Sequence, residues 1–134
     1  MHHRRLSGDV ERRFLLVFED GDELIAEVDR FASEQRIEAA EFTGIGSFAH
    51  LELDGGRRRR DVDVRSLDGR LAAAGIDVYV VVRTAERERC AGRMRRGVVR
   101  RALKLVFTEG YSGSRARPSS TDTSPSALSE RTAS

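Results

Sequence analysis

Ala39-Ala40-Glu41-Phe42-Thr43-Gly44-Ile45-Gly46-Ser47-Phe48 decides the fold of this 134-residue chain. Before it, Leu24, Ile25, Val28, Phe31 and Ala32 recur at helical spacing, which predicts one amphipathic helix running to about Arg36. Asp20-Gly21-Asp22 supplies a turn and an N-cap, with Asp22 and Glu23 suited to the positive start of the helix. The stretch itself reads as β structure. Residues 37–43 and 47–53 are expected as two strands around the Gly44-Ile45-Gly46 kink, with Phe48 and His50 on one face of the second if it is regular.

Working outward, residues 12–19 carry a continuous apolar run from Phe14 to Phe18, the pattern of a central strand buried on both faces. Asp54-Gly55-Gly56 is a turn signal, and Arg57, Arg58, Arg59 and Arg60 follow it on an expected hairpin tip. Short β-like segments come next, at 62–67, 70–74, 76–85, 89–94 and 98–109, with tight turns expected at Asp68-Gly69 and Ala74-Gly75. One helix against many short strands implies an α+β fold, a mostly antiparallel β-sheet with one principal amphipathic helix packed on it. Residues 1–111 are expected to form this single domain. Residues 112–134, in which eleven side chains are Ser or Thr and both prolines lie, bury too little apolar area to order and are expected to be a disordered tail.

Three anchors carry a family resemblance. The Thr43-Gly44-Ile45-Gly46 stretch after one short helix is the first, and Asp61-Val62-Asp63-Val64-Arg65-Ser66-Leu67-Asp68-Gly69 is the second. The third runs from Gly75 through Ala91-Gly92-Arg93-Met94 and Gly97 to Glu109. Together they resemble the PPC domain, the plants-and-prokaryotes-conserved module of AT-hook nuclear proteins and of free-standing prokaryotic proteins. The resemblance spans about residues 4–110 and implies a homotrimer with a DNA-associated or regulatory role.

The resemblance also implies a divalent-metal site in many prokaryotic members, built from a His-x-His pair and a later Gly-Gly-His. At the matching positions this chain has Val80, Val82 and Arg93, so no metal and no cofactor are expected. The connection between Leu53 and Val62 is shorter than usual in the family. The Gly-Arg-Pro core of the AT-hook does not occur, and Arg115-Ala116-Arg117-Pro118 only echoes it.

Charge is distributed by position. Residues 1–53 hold 12 acids and 6 bases, and residues 54–111 hold 8 acids and 15 bases, while the formal net charge is only +2. Arginine supplies all but one of the 24 cations, and its forked donors suit phosphate. Arg57, Arg58, Arg59 and Arg60 are therefore the candidate nucleic-acid contacts, with a second basic set at Arg93, Arg95, Arg96, Arg100 and Arg101. Solvation, salt bridging or subunit contact is the competing use of the same residues.

Other candidates read as structural. Gly44-Ile45-Gly46 lacks the spacing and lysine of a phosphate loop and serves conformation. His50 has no partner at ligand spacing, Asp61 and Asp63 balance neighbouring arginines, and His2 and His3 lie on an expected floppy terminus. Ser47 is outside any nucleophile elbow, so no enzyme is expected. The lone Cys90 reads as a small half-buried apolar residue and fits a reducing compartment. No apolar run approaches the roughly 20 residues of a membrane span, and a cytoplasmic protein is expected. A metal-free small-molecule site between subunits and a protein-association module are the alternatives to DNA.

Overall fold

The computed structural model describes residues 1–6 and 12–110. The expected tail, with its AT-hook echo, lies outside the described residues. Six strands and one helix follow in order: β1 (His2–Leu6), β2 (Arg13–Glu19), α1 (Leu24–Gln35), β3 (Ala40–Leu53), β4 (Arg58–Ala72), β5 (Gly75–Arg83) and β6 (Arg89–Glu109). All pairings are antiparallel, in the order β1-β2-β6-β3-β4-β5. The 21-residue β6 pairs with β5 at its start, with β3 along most of its length, and with β2 towards its end. Because β5 thus meets β6 again, β3, β4, β5 and β6 close on themselves.

Alternation decides which side of the sheet is core. In β2, Phe14, Leu16 and Phe18 are buried, while Leu15 and Val17 are half-buried on the other face. Helix α1 lays Leu24, Val28, Phe31 and Ala32 on the buried face. There Phe31 makes edge contacts with Phe14 and Phe107, at centroid distances of 5.0 and 5.4 Å, and Phe107 stacks on Phe42 at 5.7 Å. The helix ends on Arg36 in the left-handed conformation (φ 57°), with the Ile37 N–H donating to the Ala32 carbonyl at 2.9 Å.

Several expected breaks are continuous strand. Residues 40–53 form one strand, not two, because the glycines let β6 approach rather than stop the chain. A Cβ on Gly44 would meet the Leu105 side chain and stand 2.8 Å from the Lys104 carbonyl. At Gly46, where φ is +149°, it would stand 2.6 Å from Leu103 Cα. Asp68-Gly69 is likewise not a turn but mid-β4, paired to Thr43-Phe42 on one side and Tyr79-Val78 on the other, with the Phe42 ring filling the space beside Gly69. The tight turn comes at Ala73-Ala74, between the paired Ala72 and Gly75. Residues 89–109 also run as one strand.

Two further readings are corrected. Asp22 does not cap α1, whose N-cap is Glu23 without a side-chain hydrogen bond. Its carboxylate instead accepts from the Glu19 N–H at 2.8 Å and pairs with the terminal ammonium of Met1 at 3.0 Å. His2 and His3 are not on a floppy terminus: they begin β1, where His2 pairs with Glu19 at 3.0 Å and His3 packs edge-on to Phe31 at 4.9 Å.

Arg12 ties three elements. Its Nε and Nη2 donate to the two oxygens of Glu109 at 2.9 and 3.3 Å, and Nη2 also donates to the Gln35 carbonyl at the end of α1. The hydrogen bond from Arg12, helped by its charge against the opposing effect of partial burial, holds the Glu109 carboxyl below its ordinary value of 4.5. A carboxyl depressed in the folded state contributes stability above its unfolded value and loses it as pH falls through the folded one.

Denaturation midpoints measured across pH should therefore drop below about pH 4.5, and Glu109→Gln should flatten part of that acid limb; an unchanged limb would show that the pair contributes nothing. A second comparison isolates the close approach of β3 and β6. Gly46→Ala should cost about 2–4 kcal/mol in urea unfolding, since it adds backbone strain to a steric clash. Gly75→Ala also takes a positive φ but has open space around its Cβ, so it should cost only the strain, about 1–2 kcal/mol. Equal losses would remove the steric account.

Candidate nucleic-acid interface

After β3 the chain reverses through a 3-10 turn, Asp54–Gly56, in which Gly55 and Gly56 take φ of 79° and 78°. The Leu53 N–H donates to the Arg57 carbonyl at 2.8 Å and closes the reversal. Arg57 then folds back, its Nη2 donating to Asp54 Oδ1 at 3.2 Å, and lies where a Cβ on Gly92 of β6 would be. Its charge is committed within the turn.

Arg58, Arg59 and Arg60 are not at the tip but in the first residues of β4, so pleating separates them. Arg58 lies opposite Glu52, Arg59 opposite the buried Leu51, and Arg60 opposite His50. Arg59 is half-buried and its Nη1 donates to the Arg58 carbonyl at 2.8 Å. On the other flank of β3, Glu52 lies opposite Arg96 and His50 opposite Val98. Two outward rows result, Arg58-Glu52-Arg96 and Arg60-His50-Val98, with strands about 4.8 Å apart and rows about 7 Å apart. They line an open groove of about 520 Å³.

Within this groove four arginines face one glutamate and one imidazole. Arg96 reaches Glu23 at 3.8 Å. Arg58, Arg60 and His50 have no ion-pair partner among the described residues. Like charges set side by side on a sheet repel, and an oxyanion entering the groove relieves that repulsion while accepting from the guanidinium forks.

His50 is outward although Phe48, two residues earlier, is fully buried. The expected shared face fails because the pairing of β3 with β6 shifts register between Gly46 and Phe48 and again between Phe48 and His50. The second basic set does not gather. Arg96 joins the groove, Arg93 pairs with Asp77 at 2.8 Å, and Arg100 donates to Asp63 at 3.4 Å. The N–H of Arg101, which has φ 68°, donates to Asp20 at 2.7 Å. Arg96 as a groove residue was not legible from the sequence, since only the register opposite Glu52 brings it there.

The three positions matched to a metal triad do not converge. Val80 and Val82 point into the core with no exposure, whereas Arg93 is exposed and lies opposite Tyr79. The residues that share its outer face on β5 are Asp77, Tyr79 and Val81, which also include no histidine. Among the described residues no group of three or more His, Cys, Asp or Glu side chains is placed to hold a metal ion. Ser47 donates its hydroxyl to the Arg100 carbonyl at 2.8 Å, and Cys90 is buried opposite Val82. The backbone of Gly44, Ile45 and Gly46 is paired with β6. Asp61 sits in the left-handed region at φ 51° and leaves regular alternation, so it does not act as a strand-face pair with Asp63. No helix of the described residues is long and apolar enough to cross a membrane.

Solved structures share this architecture. A plant- and prokaryote-conserved (PPC) protein from Pyrococcus horikoshii superposes with TM-score 0.65 at 17% identity, covering 78% of this chain and 84% of its own. A candidate DNA-binding protein from Bacteroides thetaiotaomicron gives 0.67 at 16%, covering 82% and 84%. A metal-containing protein from Archaeoglobus fulgidus gives 0.60 at 18%, covering 81% and 84%. At these identities the likeness is one of fold. Among curated proteins none matches. The family model of the Plants and Prokaryotes Conserved (PCC) domain matches residues 5–108, and with that span, which is most of the chain, the protein belongs to the PCC domain family.

Proposed function

We propose that this chain is a DNA-associated or regulatory protein of the cytoplasm, working as a homotrimer that binds rather than catalyses. DNA is held through arginine–phosphate contacts. The observation that carries the reading is the unpaired Arg58 and Arg60 beside Arg96 on an open, rigid sheet face. Family membership and the DNA-binding description of the Bacteroides relative support it. Arg57 and Arg59 add to the local positive field while making their own contacts within the chain. Such a surface reads phosphate and not base edges, so binding is indifferent to sequence.

Self-association has its own surface. On the outer face of the sheet, Ile45 is 68% exposed and borders a groove of about 440 Å³ with the half-buried Leu15 and Val106. A second copy covering these side chains removes apolar area from water. A metal-free small-molecule site between subunits is the second reading, favoured by the same groove, which a neighbouring copy would roof.

In fluorescence anisotropy with a labelled duplex, log affinity should fall with log salt by about 0.9 per phosphate neutralised. Replacing Arg57, Arg58, Arg59 and Arg60 with Ser should flatten that slope by about 2, the share of Arg58 and Arg60, and by up to ~3–4 if each of the four contacts one phosphate. No duplex binding at low salt, or a full slope in the fourfold variant, would turn the arginines over to another role. Light scattering at micromolar concentration should give about three times the 15.0 kDa chain mass, with Ile45→Asp shifting the protein towards monomer; a wild type that stays monomeric across that range rules the trimer out.

A further inference from the structure

The groove contains two residues that no reading of the arginine run includes, His50 and Arg96. We infer that His50 and Arg96 complete a phosphate seat with Arg58 and Arg60, and that His50 makes occupation of this seat proton-dependent. The inference deepens the DNA-associated reading and rests on it for the identity of the macromolecule.

The geometry is that of a cross-strand ladder with β3 in the middle. Glu52 lies opposite Arg58 on one flank and Arg96 on the other, so one carboxylate stands between two guanidiniums, while Arg96 makes its ion pair with Glu23. His50 stands one row along, between Arg60 and the apolar Val98. Opposed side chains on neighbouring strands lie about 5 Å apart, and the rows about 7 Å. One oxyanion above Arg60 and His50 and a second above Arg58 and Arg96 therefore fit the two rows, a spacing of the order of that between consecutive phosphates of one strand. No Phe, Tyr or Trp side chain lines the groove, so the broad stacking platforms of single-strand binders are missing there and the contact is directed at phosphate.

The two cation types differ in one respect. Guanidinium keeps its charge at any working pH, whereas imidazole donates from both nitrogens only when protonated, a change that falls between about pH 5 and 8 for this side chain type. The charged groups facing His50 are Arg60 and Arg58 from β4, Glu52 from β3 itself and Arg96 from β6, with Glu23 behind Arg96. A bound phosphate beside the ring favours its protonated form, so binding takes up protons and affinity rises as pH falls.

The test uses the full chain and two probes, a labelled 20-base-pair duplex and inorganic pyrophosphate, at low salt. Duplex affinity should rise about 3- to 10-fold from pH 8 to pH 6, within the ~100-fold limit that uptake of one proton sets over two pH units. His50→Gln should abolish that pH dependence while keeping the salt slope, and Arg96→Gln should lower the slope by about 0.9. Pyrophosphate should shift the ring resonances of His50, identified by their loss in His50→Gln, and the shift should weaken in Arg60→Gln. If the duplex binds with a pH profile that His50→Gln leaves unchanged, the inference is overturned and the DNA reading stands. If pyrophosphate moves His50 but no duplex binds, the seat stands as a small-anion site and the DNA reading fails. Silence with both probes overturns both.

Discussion

The backbones of β3 and β6 come so close at Gly44 and Gly46 that neither position has room for a Cβ, and the rest of the structure hangs on this contact. β6 is also the partner of β2 and β5. The strand that must approach β3 therefore also carries the sheet on which α1 packs and closes the far side of the fold. Glycine in a strand is ordinarily a weakness, since it brings no side chain to pack. Here its missing side chain is the space the partner strand fills. The same economy recurs where Phe42 occupies the gap beside Gly69 and where Phe48 packs against Gly97.

The close approach has a consequence for the surface. Register between β3 and β6 slips on both sides of Phe48, which lets Phe48 turn inward and brings His50 and Glu52 outward. Those two residues set the rows of the groove, with β4 supplying Arg60 and Arg58 and β6 supplying Arg96. The groove is therefore a product of the bulges as much as of the arginine run.

Most of the other described arginines near a carboxylate are spoken for: Arg12 with Glu109, Arg30 with Glu27 and Glu34, Arg57 with Asp54, Arg93 with Asp77 and Arg100 with Asp63. Apart from the half-buried Arg12–Glu109 pair, these pairs are screened by solvent and add little to stability. Their larger effect is on the field, because each cancels positive charge where it sits, whereas Arg58 and Arg60 in the groove stand outside these pairs, as do Arg36, Arg65, Arg89 and Arg95 elsewhere on the surface. An acidic first half and a basic second half, interleaved by the sheet order, thus yield a local basic face from a chain of nearly balanced charge.

By itself the sequence determined the class of fold: helical spacing from Leu24 to Ala32, the apolar alternation of the strands, the turn at Asp54-Gly55-Gly56 and the three anchors of the PCC family are all local patterns, and local patterns survive in one dimension. It also placed charge along the chain. What it left undecided was long-range register. Whether Gly44-Ile45-Gly46 and Asp68-Gly69 break a strand or let another backbone pass depends on which strand lies alongside. Whether Arg96 meets Glu52, whether Val80 shares a face with Arg93, and which way His50 points depend on pairings separated by many residues. A slip of one residue in such a pairing moves every side chain to the opposite face. Only the tertiary structure decided that phase, because it is set by close approach and bulging between β3 and β6 and not by the propensity of either strand.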